Sequence, residues 1–288
     1  MKKTLKRRAL AGTVLLMALL LTLSLAACTD GAQTGSPSGD EGGAAGGGQQ
    51  TARDDEAFAL WKTASETNQT ASSLSFTMGF DMSLEESASG EGLTMNMSGP
   101  VQIAHASDPT QMQMSMDLRV SSMGQDLTMQ AWYRDGYYYF DTMGMQFKQQ
   151  MSGDEALSQN KAELLFFAED AIREQSVTER EDGGQELSFV LDGTQMTELV
   201  DEALASSLQN LDVDPSSLAI EVQDVVVTAR LDANGALLEC IYAFTATLAS
   251  EGVEMALDYR TVLTDISYDE VTINFPDGLD SYAEAPTS

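Results

Sequence analysis

Few residues in this chain have strongly nucleophilic or metal-ligating chemistry: it contains two cysteines and one histidine. The first cysteine, Cys28, directly follows the tripeptide Leu-Ala-Ala at residues 25–27. Five Lys and Arg residues lie among the first eight positions, and an apolar run covers residues 9–25. A basic head, a short apolar run and small residues before a cleavage site are typical of an export signal. We therefore expect residues 1–27 to be removed as a signal peptide.

A cysteine placed directly after Leu-Ala-Ala resembles the lipobox of bacterial lipoprotein signals. The resemblance implies that Cys28 becomes a lipid-modified N-terminus, carrying acyl chains such as palmitate, at the extracytoplasmic face of the cell membrane. The alternative is that residues 9–25 form a transmembrane anchor. That run has 17 residues, at the lower limit for crossing a bilayer, and it contains Gly12 and Thr22. We therefore favour cleavage before Cys28.

The region after the cysteine has the composition of a flexible tether. Eight of the 25 residues at positions 29–53 are glycine, and most of the others are small or polar. Such a segment buries too little apolar surface to fold, and its root-mean-square reach is roughly 25–30 Å. We predict a tether over residues 28–53, a single domain over residues 54–282 and a frayed tail over residues 283–288.

The charge of the chain argues against several partners. It has 45 Asp and Glu residues against 15 Lys and Arg, a net charge of −30. Binding to nucleic acid requires clustered basic residues, so we expect no nucleic-acid partner. The acidity favours a well-solvated exterior, and divalent-cation binding is the alternative. The acidic segments at residues 212–214 and 232–235 do not complete the ligand spacing of a calcium loop, so we predict no metal and no cofactor.

The second cysteine gives little support to an enzymatic function. Cys240 alternates with apolar residues, including Tyr242 and Phe244, which favours a buried thiol in a strand. The one histidine, His105, is the only imidazole that could act as its base. The chain has no Gly-x-Ser-x-Gly, His-Glu-x-x-His, phosphate-loop or Cys-x-x-Cys motif. We therefore expect a protein that is not an enzyme and has no catalytic residue.

Hydrophobic periodicity predicts the fold class. Apolar residues occupy every second position from Phe76 to Leu84 and from Met112 to Val120, as expected for antiparallel strands with one buried face. Asp135-Gly136 is a strong signal for a two-residue hairpin. The pattern predicts an α+β fold, one large curved antiparallel sheet with helices on one face.

Longer-period patterns and the chain end complete this prediction. Helices are expected over residues 54–72, 154–174 and 194–211, the last with Thr194 as its N-cap. A short final strand is expected over residues 271–275.

Two segments resemble those of known proteins. Trp132-Tyr-Arg-Asp-Gly-Tyr-Tyr-Tyr-Phe-Asp-Thr-Met-Gly144 resembles a hairpin found in many uncharacterised lipoproteins of Gram-positive bacteria. Val271-Thr-Ile-Asn-Phe-Pro-Asp-Gly-Leu-Asp-Ser-Tyr282 resembles their C-terminal signature. These proteins are similar to the lipoprotein-localisation-factor superfamily and to mycobacterial lipid-carrying lipoproteins. The resemblance implies a half-open antiparallel barrel over residues 54–282, with helices covering its concave face and acyl chains bound between them. It carries over no catalytic residue.

Methionine is the one unusual feature of the composition. Eleven of the 16 methionines lie between Met78 and Met145. Flexible thioether side chains adapt to varied apolar ligands, but they also fill ordinary cores. If the face binds a ligand, the candidate ligand-facing residues are Phe76, Met78, Phe80, Met112, Met114, Met116, Met129, Leu164, Phe167 and Leu204.

Two functions from different classes follow. The first is a membrane-tethered protein that binds or carries a lipid or acyl chain in a groove between the sheet and the helices over residues 154–174 and 194–211. The alternative is a non-enzymatic structural or interaction module of the cell envelope. That module has a packed interior and a protein partner on its outer face.

The lipid anchor gives the first testable prediction. Substitution of Cys28→Ser, or treatment of the producing cells with globomycin, should change the size of the mature protein and release it from the membrane fraction. The reason is that two or more acyl chains are needed for stable anchoring, and both treatments prevent their attachment or processing. Membrane fractionation with mass spectrometry of the mature N-terminus measures this. An unchanged mass and an unchanged membrane fraction would show that Cys28 carries no lipid.

Overall fold

The computed structural model describes residues 56–122, 124–160, 167–195, 218–250 and 253–285. Within these ranges the chain forms one sheet of 13 strands with few helices. The predicted signal peptide, Cys28 and the whole predicted tether lie outside the described residues, as do Leu164, Leu204 and nearly all of the helix predicted over residues 194–211. No helix in the described ranges is both long enough and apolar enough to cross a membrane.

The described elements are a long series of strands with two α-helices and a short helical segment at residues 193–195. Helix α1 spans Ala57–Thr70 and helix α2 spans Gly153–Asn160. The first six strands are β1 (Ser73–Glu86), β2 (Gly92–Ala104), β3 (Gln113–Ser122), β4 (Gln125–Arg134), β5 (Tyr137–Thr142) and β6 (Met145–Gln150). The others are β7 (Ile172–Glu179), β8 (Gln185–Leu191), β9 (Leu218–Val222), β10 (Val225–Leu231), β11 (Leu237–Ser250), β12 (Val253–Ser267) and β13 (Ala283–Glu284).

The strand order confirms the large antiparallel sheet. It runs β13-β6-β5-β4-β3-β2-β1-β12-β11-β10-β8-β7, and β9 pairs with the part of β11 beyond β10. The described pairs are antiparallel except for β13, which is parallel to β6. The predicted two-residue hairpin at Asp135-Gly136 is confirmed, because both residues have positive φ, 52° and 80°, as a type I′ turn requires.

The helix predictions are only partly right. The structure has α1 within the range predicted for the first helix, but the second prediction, residues 154–174, is wrong at its C-terminal end. The described part of helix α2 is Gly153–Asn160, residues 167–168 are not helical, and β7 begins at Ile172. Residues from Ile172 onwards form a strand and not a helix because pairing of β7 with β8 buries Val177 opposite Leu187. Residues 193–195 are helical, as predicted. The predicted N-cap, Thr194, lies inside this segment, and the Asp192 side chain caps it by accepting a hydrogen bond from the Thr194 amide at 2.8 Å.

The final strand predicted over residues 271–275 is also wrong, because this segment lies outside the sheet. The chain end instead packs on β4 and β5, where Leu279 and Tyr282 join a small cluster with Trp132 and Tyr139. Arg134 pairs with Asp280 at 3.2 Å. The two segments that carry the sequence resemblance therefore contact each other. Residues 283–284, in the segment expected to be a frayed tail, form β13.

The sheet has two chemically different faces. Along β1 the residues Leu74, Phe76, Met78, Phe80 and Met82 share one side, and all belong to or pack against the main apolar cluster. We call this side, with its cross-strand neighbours, the apolar face, and the opposite side the polar face. Helix α1 lies on the apolar face against β7, β8 and β11. The resemblance also implied that helices cover a concave face of the sheet, and this stays a prediction.

One glycine permits an unusually close approach of two strands. A Cβ atom on Gly99 of β2 would lie 1.9 Å from the backbone oxygen of Asp117 on β3. The next residue is Pro100, which lacks the amide hydrogen of a ladder, and the β2–β3 pairing is interrupted at these two positions. Any side chain at position 99 must therefore push the two backbones apart.

This close approach gives a stability prediction. We expect Gly99→Ala to lower the free energy of unfolding by about 1–3 kcal/mol, the usual cost of overpacking, in urea denaturation followed by circular dichroism. Gly79→Ala in β1 is the matched control, because its Cβ would meet Val262 at an ordinary 3.7 Å. Equal midpoints for the two variants would contradict the predicted contact.

Candidate functional site

The strand register gathers alternate residues into rows that cross the whole apolar face. In an antiparallel sheet, directly paired residues point to the same side, so a row can be followed from strand to strand. One such row begins at the outer strand β7 and ends on β4. Its members are Gln175, Phe189, Val227, Tyr242, Thr261, Phe80, Met97, Val120 and Leu127.

The structure divides the predicted ligand-facing residues by burial. Phe76, Phe80, Met112 and Met114 are buried, and Met114 has no exposed surface. Met78, Met116, Met129 and Phe167 are partly buried. The first group therefore contributes mainly to the core, and the second group keeps surface that a ligand could contact. The remaining two candidates, Leu164 and Leu204, lie outside the described residues.

Phe167 is in a different place from the methionines. Its ring stacks on Trp61 of α1, with centroids 5.4 Å apart and planes at 15°. It also meets the edge of Phe189 of β8 at 5.1 Å. Offset stacking and edge contacts of this kind hold aromatic clusters together. This end of the apolar face is thus closed by α1 through aromatic packing.

The β1–β6 end of the apolar face is more open. Some apolar side chains there, such as Met78, Met116 and Met129, are only partly buried, and Leu127 and Met145 are 36% and 54% exposed. Met143, in the turn beside Met145, is 65% exposed. We call this part of the face the methionine-rich region; it consists of Met78, Met97, Met116, Val120, Leu127, Met129, Phe140, Met145 and Phe147.

Several members of this region were missed by the sequence analysis. Met97, Leu127, Met145 and Phe147 were not named as candidates, although each continues the alternation of its own strand. Cross-strand pairing joins them to the predicted residues, since Met97 pairs with Phe80, and Met145 pairs with Thr142, which pairs with Met129. The sequence signal that could have found them was therefore the hairpin register.

The polar face carries the charged groups. Asp81 of β1 accepts a hydrogen bond from Asn96 and lies 3.8 Å from Arg260 of β12. These residues, with Asp258 and Val226, line an open groove of about 670 Å³. Among the described residues, no group of three or more His, Cys, Asp or Glu side chains is arranged to hold a metal ion.

The structure separates the two residues considered for thiol chemistry. Cys240 is buried on β11, and burial raises the pKa of its thiol far above the ordinary value, so the thiol stays protonated. His105 is exposed, with a φ of 55°, just after β2. Strands β1 and β12 lie between β2 and β11. A buried, protonated thiol without an adjacent imidazole behaves as a small apolar side chain.

Comparison with known proteins gives weak likenesses. No family model and no curated protein matches the chain. The chain is similar to LprF from Mycobacterium bovis at 11% identity and a TM-score of 0.37, with 78% of this chain and 98% of that protein covered. It is also similar to the ywiB protein from Bacillus subtilis at 7% identity and a TM-score of 0.21, over 69% of this chain and 97% of that one.

A third similar structure is a DUF1329 family protein from Desulfovibrio piger. The identity is 9% and the TM-score is 0.21, over 75% of this chain and 93% of that one. All three TM-scores are low, so no residue role or ligand is carried over from these proteins to this chain.

The different burial of Met114 and Met129 can be tested by comparing the unfolding free energies of variants at the two positions. We expect Met114→Gln to cost about 2–4 kcal/mol of unfolding free energy, because it places an amide in a fully buried apolar site. The matched change Met129→Gln should cost less than about 1 kcal/mol, because this side chain keeps solvent-exposed surface. Urea denaturation monitored by tryptophan fluorescence measures both. Similar losses for the two variants would show that the methionine-rich region is packed like the core.

Proposed function

We propose that this chain is an extracytoplasmic lipoprotein, tethered to the membrane through Cys28, that binds or carries a lipid or acyl chain on the apolar face of its sheet. The observation that carries the proposal is the partial exposure of the methionine-rich region. Contiguous exposed apolar surface is uncommon in soluble domains and often marks a binding site. Here it lies on the same face, and in the same cross-strand rows, as the buried core.

The residue types of this region suit a variable hydrocarbon ligand. Methionine has three rotatable side-chain bonds and a polarizable sulfur, so it adapts to chains of different shape. Burial of apolar surface supplies the binding energy at about 25 cal/mol per Å². Binding of this kind requires no covalent step, and the proposed role is therefore not enzymatic.

The acidic exterior supports a tether rather than direct adsorption to the membrane. A net charge of −30 is repelled by an anionic membrane surface. An acyl anchor on Cys28 and a flexible segment over residues 28–53 would keep the domain near the bilayer despite this repulsion. The proposed ligand can then exchange over a short distance.

One observation favours the alternative, a structural or interaction module of the envelope. The groove of about 670 Å³ on the polar face combines Asp81 and Asp258 with Arg260 and the 44%-exposed Val226. Mixed charged and apolar surface is typical of protein interfaces. If this alternative holds, the methionine-rich region binds no ligand and a protein partner occupies the polar face.

Binding of a neutral fluorescent probe, N-phenyl-1-naphthylamine, distinguishes the two functions. The wild-type domain should bind the probe, and Leu127→Gln with Met129→Gln should weaken binding by about tenfold or more, because each change removes apolar contact worth about 1 kcal/mol. Val226→Gln is the control, since Val226 is an exposed apolar residue on the polar face.

Native mass spectrometry of protein purified from its own membrane provides a second measurement. We expect co-purified lipid with the wild type and less with the double variant. Probe binding that is lost only with Val226→Gln, or wild-type protein without probe or lipid binding, would contradict the carrier function.

A further inference from the structure

Among the described methionines, two at the tip of the β5–β6 hairpin have exposed side chains. Met143 is 65% exposed and Met145 is 54% exposed. By contrast, Met112 and Met114 in the core are 2% and 0% exposed. A buried thioether is shielded from an oxidant in water, and an exposed thioether is not. Met143 and Met145 are therefore the described thioethers best placed to react with a small oxidant.

The backbone of this turn gives no reason for a methionine at position 143. Met143 and Gly144 have φ values of 51° and 77°. Asp135 and Gly136, in the β4–β5 hairpin, have almost the same values, 52° and 80°. Asn, Asp or Gly suits the first position of such a turn, because the left-handed conformation is costly for other side chains. Asp135 follows this rule and Met143 does not, so the thioether of Met143 needs a separate explanation.

Met145 links the turn to the rest of the methionine-rich region. It pairs with Thr142, and Thr142 pairs with Met129, so these three side chains lie on the apolar face. Phe147, two residues after Met145 and on the same side, stacks on Phe140 with ring centroids 5.1 Å apart. A change in the polarity of Met145 is thus a change at the edge of the proposed binding surface.

The fold does not depend on these two thioethers. Neither Met143 nor Met145 is a member of the main apolar cluster. Strands β5 and β6 are paired along their whole length, and Tyr139 of β5 packs with Leu279 in the second cluster, on the polar face. Chemical modification of the two sulfurs therefore leaves the hairpin in place.

Resting on the proposed function, we propose that Met143 and Met145 form an oxidation site that controls ligand binding, with a hydroperoxide as the oxidant. The O–O bond of the peroxide breaks, and one of its oxygen atoms forms an S–O bond with the thioether sulfur. The sulfur is oxidised by two electrons to a sulfoxide. The peroxide is reduced to water, or to an alcohol if it carries an alkyl group.

The sulfoxide changes the surface that a ligand meets. A sulfoxide is polar and accepts hydrogen bonds, whereas a thioether is flexible and apolar. Thr142, directly opposite Met145 on the same side, presents a hydroxyl donor beside the new oxygen. The oxidised hairpin tip therefore holds water where the thioethers contacted hydrocarbon, and the affinity for an apolar ligand falls. Methionine sulfoxide reductase reverses the change.

Peptide mapping by mass spectrometry, after treatment of the mature protein with hydrogen peroxide, tests the site without any ligand. Met143 and Met145 should each gain one oxygen atom about tenfold faster, or more, than Met112 and Met114. The reason is that the buried sulfurs react only after local opening of the structure. Equal rates at the four positions would overturn the assignment of the site.

Binding of N-phenyl-1-naphthylamine measures the consequence of oxidation. At a peroxide dose that leaves Met112 and Met114 intact, oxidised wild type should bind the probe about fivefold more weakly, because two side chains lose apolar contact. The double variant Met143→Leu with Met145→Leu is the matched control, since leucine keeps the apolar surface and has no sulfur. It should bind like the untreated wild type before and after peroxide. Methionine sulfoxide reductase should restore binding to the oxidised wild type.

The outcomes separate this inference from the proposed function. If the wild type keeps its affinity although Met143 and Met145 are oxidised, the control of binding is wrong and the carrier function stands. If the leucine variant loses as much affinity as the wild type, another methionine is responsible and the inference is overturned. If the untreated wild type binds no probe, the carrier function fails, and the control of binding fails with it.

Discussion

The antiparallel pairing of β1 with β12 is the interaction on which the rest of this structure depends. It joins the first strand of the meander β1–β6 to the last long strand of the β7–β12 half, from Ser75 opposite Ser267 to Glu86 opposite Met255. Without this pair the two halves would present separate apolar faces, each with an open edge. With it, one apolar face continues across the sheet, and the rows that connect Tyr242 to Met97 exist. The cost is a contact between distant parts of the chain, which must form against a large loop-closure entropy.

The two ends of this face are covered differently, and the difference follows from the side chains. At the β7–β11 end, aromatic rings from α1 and the segment before β7 fill the surface, with Trp61 packed on Phe167 and Phe189. At the β1–β6 end, methionines lie beside rings such as Phe140 and Phe147, and Leu127 and Met145 keep exposed surface. One end of the face is therefore closed by packed aromatic rings, and the other combines rings with flexible thioether side chains.

The sequence could predict much of the sheet and less of its surroundings. Alternation identified the strands, and Asp135-Gly136 identified its hairpin, because both signals are local. The boundary between α2 and β7 depended on pairing with β8, and the position of residues 271–275 depended on Trp132 and Tyr139 far away in sequence. Burial is still harder to predict. Met114 and Met129 have the same side chain and the same alternation, but what covers each of them depends on the tertiary structure.

The C-terminal segment explains why the methionine-rich region can be both exposed and ordered. Strands β4 and β5 carry Ala131, Met129 and Phe140 on the apolar face, and Trp132 and Tyr139 on the opposite side. Leu279 and Tyr282 pack on that opposite side, Arg134 pairs with Asp280, and the Lys148 amine donates to the Asp280 backbone oxygen at 3.1 Å. The strands beneath the exposed methionines are therefore held from behind by a second apolar cluster. This support allows their other face to remain partly uncovered without fraying.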